Sequence, residues 1–516
     1  MIHTQSKKEV SRRRFLKGTA AMASAAATAG ILEAYQQPTP TIPETWDKET
    51  DVLVIGTGFA GLSTAITAKD AGAEILILEK MAKKFEGGNS RVSGNMWWTP
   101  TNHTEGLEYI EALCHGLTDK ECIQALAEEM MQLNGWLEQL GIKPTRLGFF
   151  EPEHPELPGS GCVRTWNNDG ISAQGKLWIP IRDQVEKRGI EILYETTARD
   201  LIQSPKTREI VGAHAVSGNS SISIKARRGV ILTCGGYEND PRMKWDYLPV
   251  KPAMFLGTPG NTGDGIRMAQ KIGADLWHMT RLSCLIGFKA PEYEAAFWVA
   301  FLSEGFIFVD KYGRRFVNEA GIEIHEYYQE LSHFDIGKME FPRVPLWAVF
   351  DEQTRRRGPL SRGTAGYNRD LYSWSLDNSA EIAKGWILQG KTIAELASRI
   401  STDPKALEET ITRFNRHAKA GKDEDFGRPR EDLRPLEPPF YAIQLWPALI
   451  NTQGGPRRDK ESRVLDPDGK PVPRLYAAGE LGSIWGYLYQ GACNIGEALV
   501  FGRIAGKNAA AEEPWS

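Results

Sequence analysis

The chain has 516 residues, 41% hydrophobic and 25% charged, enough for a large core and, on length alone, two or three domains. Its 62 Lys/Arg against 66 Asp/Glu give a formal charge of -4, which leaves no electrostatic footprint for nucleic acid. The six cysteines (Cys114, Cys122, Cys162, Cys234, Cys284, Cys493) form no C-x-x-C pair and no C-x-x-C-H, so no disulfide framework, metal site or covalent haem is expected.

Ser11-Arg-Arg-Arg-Phe-Leu-Lys17 precedes an alanine-rich, mildly apolar run, Gly18 to Leu32, too short and too weakly hydrophobic for a membrane span. The segment resembles a twin-arginine export signal with Arg12 and Arg13 as the pair. Residues 1–34 are therefore expected to be the signal, read by the twin-arginine machinery, which would place the protein in the periplasm or on the outer side of the cytoplasmic membrane. Residues 35–47, with three prolines between Gln36 and Pro43, read as a linker.

Asp51-Val-Leu-Val-Ile55 reads as a short buried strand, followed by Gly56, Gly58 and Gly61. Those glycines permit a tight turn, close backbone approach to a pyrophosphate, and close helix-to-strand packing, while the helix opening at Phe59 and Ala60 turns its positive end toward phosphate. A second strand, Glu74 to Leu78, delivers Glu79, with Lys80 beside it, to where a carboxylate accepts from adenosine ribose hydroxyls. The acid argues against a 2'-phosphate, hence against NADP. The loop Gly87-Gly-Asn-Ser-Arg-Val-Ser-Gly94 is suited to placing backbone N–H groups against a ligand.

Helical patterns occupy Cys122 to Leu140 and Leu177 to Arg188; strand patterns occupy Ile190 to Glu195 and Ile222 to Thr233. Gly257-Thr-Pro-Gly-Asn-Thr-Gly-Asp-Gly265 opens a helix at Ile266. From Met279 to Ile450 strands and helices mix, including an amphipathic helix over Pro404 to Ala420. Strand-turn-helix returns at Leu475 to Glu480 and Gly491 to Ala505. A dinucleotide fold begun near residue 50 and finished near 510 implies an inserted domain. The expected organisation is 48–278 and 451–512 as the two parts of a cofactor domain, with 279–450 as a capping, substrate-facing domain.

These motifs carry a family resemblance. G-T-G-F-A-G, G-G-N-S, T-G-D-G-I, Gly313-Arg-Arg-Phe-Val-Asn-Glu319, Gly421-Lys-Asp-Glu-Asp-Phe-Gly-Arg-Pro429, Thr452-Gln-Gly-Gly455 and Y-A-A-G-E ending in Phe501-Gly-Arg-Ile-Ala-Gly506 resemble the flavoproteins of the fumarate reductase, flavocytochrome c, urocanate reductase and 3-ketosteroid dehydrogenase family. The resemblance implies an α/β fold: a Rossmann-like, glutathione-reductase-like FAD-binding domain with an inserted α+β cap. It implies Glu79 on the adenosine ribose, Gly88, Asn89, Ser90, Ser93 and Gly94 on the pyrophosphate and flavin side, and Ala198, Thr233, Gly235 and Asp264 toward the adenosine half. Glu480 would meet the ribityl chain, and Asn494 with Ile495 the flavin pyrimidine end, where a helix dipole stabilises charge on N1 and O2. No histidine lies in the G-G-N-S segment, so non-covalent FAD is expected.

The resemblance breaks at the substrate. Where dicarboxylate reductases of this family place two histidines and two arginines, this chain has Leu285, Asn451, Tyr489 and Glu323; the relay positions hold Val299 and Leu302. A substrate carboxylate would meet Glu323 rather than a cation, so fumarate and succinate are not expected as substrates. Tyr489 matches a ketosteroid dehydrogenase tyrosine, which implies an oxyanion hole from its hydroxyl and the Gly491 N–H. Glu323 or Tyr328 would handle the proton on the neighbouring carbon, Tyr327 lies beside the latter, and His325 is a candidate shuttle. Trp97, Trp98, Trp298 and Trp485 are candidates for lining an apolar, planar pocket.

The expected activity is an exported, ene-reductase-type FAD enzyme moving a hydride between flavin N5 and the carbon beta to a carbonyl in a largely neutral, cyclic or aromatic small molecule. Without haem or iron-sulfur ligands it would need an external cytochrome or quinol-linked electron partner. Two alternatives stand: a 3-ketosteroid-dehydrogenase-like enzyme introducing C=C beside a ketone, and a flavin electron carrier without small-molecule turnover.

Overall fold

The computed structural model describes residues 42–170, 175–362 and 365–515; the expected signal and the first part of the linker lie outside them. Lys48–Ile55 forms the middle of a parallel sheet because Val52, Leu53 and Val54 are fully buried on both faces, as continuous apolar runs in parallel sheets are. Ile75–Leu78 pairs on one side, with Val52 opposite Ile75, and Ser220–Leu232 on the other, with Leu53 opposite Val230. Glu191–Leu193 and Pro471–Ala477 extend the sheet in parallel on either side, and Arg463–Leu465 adds an antiparallel edge beyond the latter. The last two of these come from the far end of the chain. Thr196–Gln203 and Ile210–Ser217, which carry no clear periodic signal, form an antiparallel meander onto Ser220–Leu232.

The first and last helices among the described residues, Phe59–Asp70 and Cys493–Ala511, lock together through small residues. Thr64 donates to the Gly502 carbonyl at 2.9 Å, and a Cβ on Gly502 would strike Ser63 and the Ala60 carbonyl. Beneath the N-terminal turn of the last helix lies a pair with both side chains at 0% exposure, Arg458 and Glu497. Glu497 also accepts from the Ser483 hydroxyl at 2.6 Å and the Ile484 N–H at 2.9 Å, while Arg458 donates to the Leu481 carbonyl at 3.2 Å.

The inserted region builds a second sheet around one long strand, Phe440–Thr452, which pairs with Leu282–Phe288, Leu346–Asp351 and Ile387–Gly390. Met254–Phe255 joins the same strand, so the cap sheet draws on residues before position 279. Helix Pro404–Ala420 is capped by Asp403, whose side chain accepts from Lys405 N, and stops at Gly421 in the left-handed region, φ 67°. Its Leu407, Ile411 and Phe414 are buried against the sheet. The two charged motifs of the cap meet: Arg315 lies 2.8 Å from Glu319 and 2.9 Å from Asp423, and Arg428 lies 3.2 Å from Glu319, all essentially buried. Among the described residues no helix is long and apolar enough to cross a membrane.

Candidate active site

A cavity of about 500 Å³ opens at the carboxyl ends of the parallel strands and runs under the cap, where ligands of open α/β sheets bind. Every cofactor residue named from the sequence lines it except Gly61. Gly61 serves packing instead: a Cβ there would collide with the Gly56 carbonyl and the Thr233 hydroxyl.

At the adenosine end Glu79 accepts from the Thr57 hydroxyl and from Met81 N at 2.8 Å. Burial raises its pKa, and those donors pull the other way. Lys80 reaches Asp264 at 2.6 Å and Thr262 at 2.7 Å, so Asp264 is held by its neighbour. In the middle, Asn89 donates to the Ile450 carbonyl at 3.1 Å and to Glu480 at 3.2 Å, and accepts from Thr258 N at 2.9 Å. Glu480 is held well above the usual carboxylate range by burial and then by the Glu238 carboxylate. Glu238, missed in the sequence, accepts from Thr452 N at 2.9 Å, yet its other oxygen is buried without a hydrogen-bond partner.

These features fit FAD. The Ser90 hydroxyl accepts from Phe59 N at 2.9 Å at the start of helix Phe59–Asp70, whereas no side chain caps the helix at Ala492, so first-turn N–H groups at Asn494 and Ile495 are available where flavin charge develops. A protonated Glu480 can donate to a ribityl oxygen as well as accept from one. His325 is the only histidine on the described wall, and it sits on the substrate side.

On that side Leu285, Asn451 and Tyr489 all face the cavity, as does Trp298. The other three tryptophans are core: Trp97 donates to Asn134 at 2.8 Å, and Trp98 and Trp485 pack 6.5 Å apart with at most 1% exposure. Val299 and Leu302 are also off the described wall, the first buried in the cap and the second half-exposed.

Glu323 does not line the cavity; its carboxylate turns to His325, accepting from the backbone N–H at 2.8 Å and lying 3.0 Å from Nδ1. Glu153 approaches the same Nδ1 at 3.3 Å. Burial pushes the imidazole pKa down, but the two carboxylates outweigh it and raise it to about 10. The cavity therefore meets a cationic His325 in place of the acid expected from sequence. The Tyr489 ring lies with its centre 4.7 Å from that of the imidazole, tilted by 44°, and burial holds its phenol neutral, a donor rather than an anion.

Two expected roles are corrected. The Gly491 N–H donates to Glu153, so it is not a free oxyanion donor. Tyr328 is buried with its hydroxyl accepting from Gln329 at 3.2 Å and is absent from the described wall, because the short helix Tyr327–Leu331 packs it back toward the cap sheet. The residues that sequence reasoning missed, Phe149, Phe150 and Glu153, sit on a loop bonded to the C-terminal turn more than 330 positions away. Gln490 donates to the Phe150 carbonyl at 3.0 Å and accepts from Glu153 N at 3.1 Å, and His154 Nε2 lies 2.9 Å from the Tyr489 carbonyl.

The sequence profile of the FAD binding domain family matches residues 51–495. The chain is 28% identical over 483 residues to a probable fumarate reductase of Shewanella frigidimarina, covering 89% of this chain and 75% of that one. It is 27% identical over 571 residues to a 3-oxosteroid 1-dehydrogenase of Mycolicibacterium smegmatis, covering 90% and 98%. Its fold matches the 3-ketosteroid delta1-dehydrogenase of Sterolibacterium denitrificans, solved with 1,4-androstadiene-3,17-dione, with a TM-score of 0.77, 24% identity, and coverage of 90% and 100%. The chain belongs to the FAD binding domain family and is an FAD-dependent oxidoreductase.

Proposed function

We propose that the protein reduces an activated C=C bond in a largely neutral, cyclic or aromatic substrate, with non-covalent FAD as its redox group. When bound, the flavin supplies the hydride at N5. Tyr489 donates a hydrogen bond to the carbonyl oxygen as negative charge develops there. His325 gives a proton to the alpha carbon through Nε2, since its Nδ1 faces Glu153 and Glu323. Leu285, Trp298 and Ile324 supply an apolar wall suited to a neutral ring. The observation that carries the reading is one acid and one neutral phenol on one cavity wall, their ring centres 4.7 Å apart.

Held between two carboxylates, His325 rests in the protonated form that the reductive direction uses. Run in reverse, the same pair would serve introduction of C=C beside a ketone, a reading favoured by the fold match to a steroid dehydrogenase. Both demand turnover, unlike a bare electron carrier. Export through the twin-arginine route and an external cytochrome or quinol-linked donor complete the proposal.

The test mixes dithionite-reduced enzyme anaerobically with a panel of cyclic enones and aryl-acrylates, and oxidised enzyme with the saturated ketones. Reoxidation by an enone supports reduction, and bleaching by a saturated ketone supports the reverse reading. With the reactive enone, Tyr489→Phe should slow flavin reoxidation on the order of 10²–10³-fold, as loss of a single oxyanion donor does. A loss of less than about threefold would leave Tyr489 as packing and remove the proposed mechanism.

A further inference from the structure

We propose that Glu153 is a positioning residue: its carboxylate fixes His325 with Nε2 toward the substrate carbon and ties that imidazole to the turn carrying Tyr489. The inference rests on His325 being the proton donor, and it adds how the donor is held.

The two oxygens of Glu153 have different tasks. One accepts from the Gly491 N–H, two residues beyond Tyr489. The other, buried without a hydrogen-bond partner, lies 3.3 Å from His325 Nδ1 as an ion-pair contact. The Glu153 side chain is 6% exposed, so its charge is desolvated and depends on these partners. Its backbone is fixed as well, because Glu153 N donates to Gln490, the residue between Tyr489 and Gly491. Three consecutive positions of the C-terminal turn are therefore bonded to this loop, His154 taking the Tyr489 carbonyl.

The groups facing His325 come from three segments: Glu153 from the loop, Glu323 from its own stretch, and Tyr489 from the turn. Glu326 lies behind, accepting from Tyr489 N at 3.3 Å. Glu323, two residues from His325 and bonded to its backbone, would keep the ring charged but leave it free to follow the cap. Glu153 links the imidazole itself to the Gly491 N–H of the cofactor domain's final turn, beside the backbone contact that Glu326 makes with Tyr489. The acid and the phenol then present a fixed spacing to a substrate lying between them and the flavin.

Glu153→Gln retains an oxygen for the Gly491 N–H and removes the charge. In flavin-replete protein labelled with 15N-histidine, with His325→Asn assigning the resonance, the wild-type ring should stay protonated into the alkaline range. Glu153→Gln should lower its titration by at least about one pH unit, within the usual effect of an adjacent charge. The alkaline limb of enone-driven reoxidation should move by the same amount. An unmoved titration in a folded, flavin-replete variant overturns the assignment of Glu153 while leaving the proposed function standing. A moved titration with an unaffected His325→Asn rate removes His325 from the reaction, and both proposals fall together. If Glu153→Gln loses flavin, Glu153→Asp, which withdraws the charge by one methylene, should give a smaller fall in the same direction; no fall overturns the assignment.

Discussion

Replacing Arg458 by Met tests whether the turn over the flavin is held by a buried charge pair. Arg458 and Glu497 are both fully buried, the guanidinium also lies 4.6 Å from the Phe501 ring, and Met fills much of the same volume. Without Arg458, Glu497 keeps only the Ser483 hydroxyl and the Ile484 N–H in a site without access to solvent. Breaking such a pair from one side costs about 3–5 kcal/mol, a large share of the ~5–15 kcal/mol by which a domain is stable. The cost should depend on pH in a defined direction. Burial, the largest influence, already raises the pKa of Glu497, and the Arg458 charge opposes that rise. With Arg458 gone, the folded-state value climbs further above the unfolded one. The folded protein then binds more protons than the unfolded chain between the two values, so the variant loses stability as pH rises through that window. Urea midpoints from tryptophan fluorescence at pH 5.5 and 8, with free FAD fluorescence followed in parallel, measure both effects. The double change Arg458→Met with Glu497→Gln should recover most of the loss, because removing a whole buried pair is often near neutral. A single-variant loss under about 1 kcal/mol, or one independent of pH, would refute the reasoning.

Other outcomes follow from the same contacts. Glu79→Arg replaces the acceptor buried beside Thr57 with a group that can only donate; losing two charge-assisted bonds is worth about 3 kcal/mol, so FAD affinity should fall on the order of 100-fold by equilibrium dialysis. Unchanged FAD occupancy would mean that the ribose site lies elsewhere. Heat or acid should release FAD free of peptide, and flavin recovered only on a proteolytic fragment would contradict non-covalent binding. Fumarate and succinate should fail to reoxidise or reduce the flavin, since Leu285, Asn451 and Tyr489 stand where dicarboxylate reductases of this family place their clamping histidines and arginine, and a turnover that is lost in Arg362→Gln would instead show that Arg362, also on the described wall, replaces that clamp. Arg12→Lys with Arg13→Lys keeps the charge but removes the pair that the export receptor reads, so precursor should accumulate in the cytoplasm by fractionation and immunoblot; normal delivery would point to another route.

The cofactor half was legible because its residues act locally. Gly56, Gly58 and Glu79 belong to one strand-turn-helix-strand unit whose spacing is dictated by pyrophosphate and ribose, and the structure puts all three on the cavity wall. The substrate half was only partly legible. Asn451 and Tyr489 could be placed from flanking motifs, but Glu153 meets His325 and Gly491 across 172 and 338 positions, and no short-range pattern encodes such a meeting. Tyr328 was misplaced because one helical turn separates a side chain facing the cavity from one facing the cap sheet. The tryptophans show the same limit: Trp97, Trp98 and Trp298 have equal claim by composition, and only packing separates the wall residue from the core pair.

The long strand Phe440–Thr452 leaves the cap directly opposite the strand that enters it, with Leu282 facing Thr452 in the antiparallel register. The insertion thus starts and finishes on one doorstep. A lineage, or an engineer, can exchange everything between those two positions for a different cover and leave the wiring of the nucleotide fold as it was, which is how one flavin chassis can come to serve unrelated substrates.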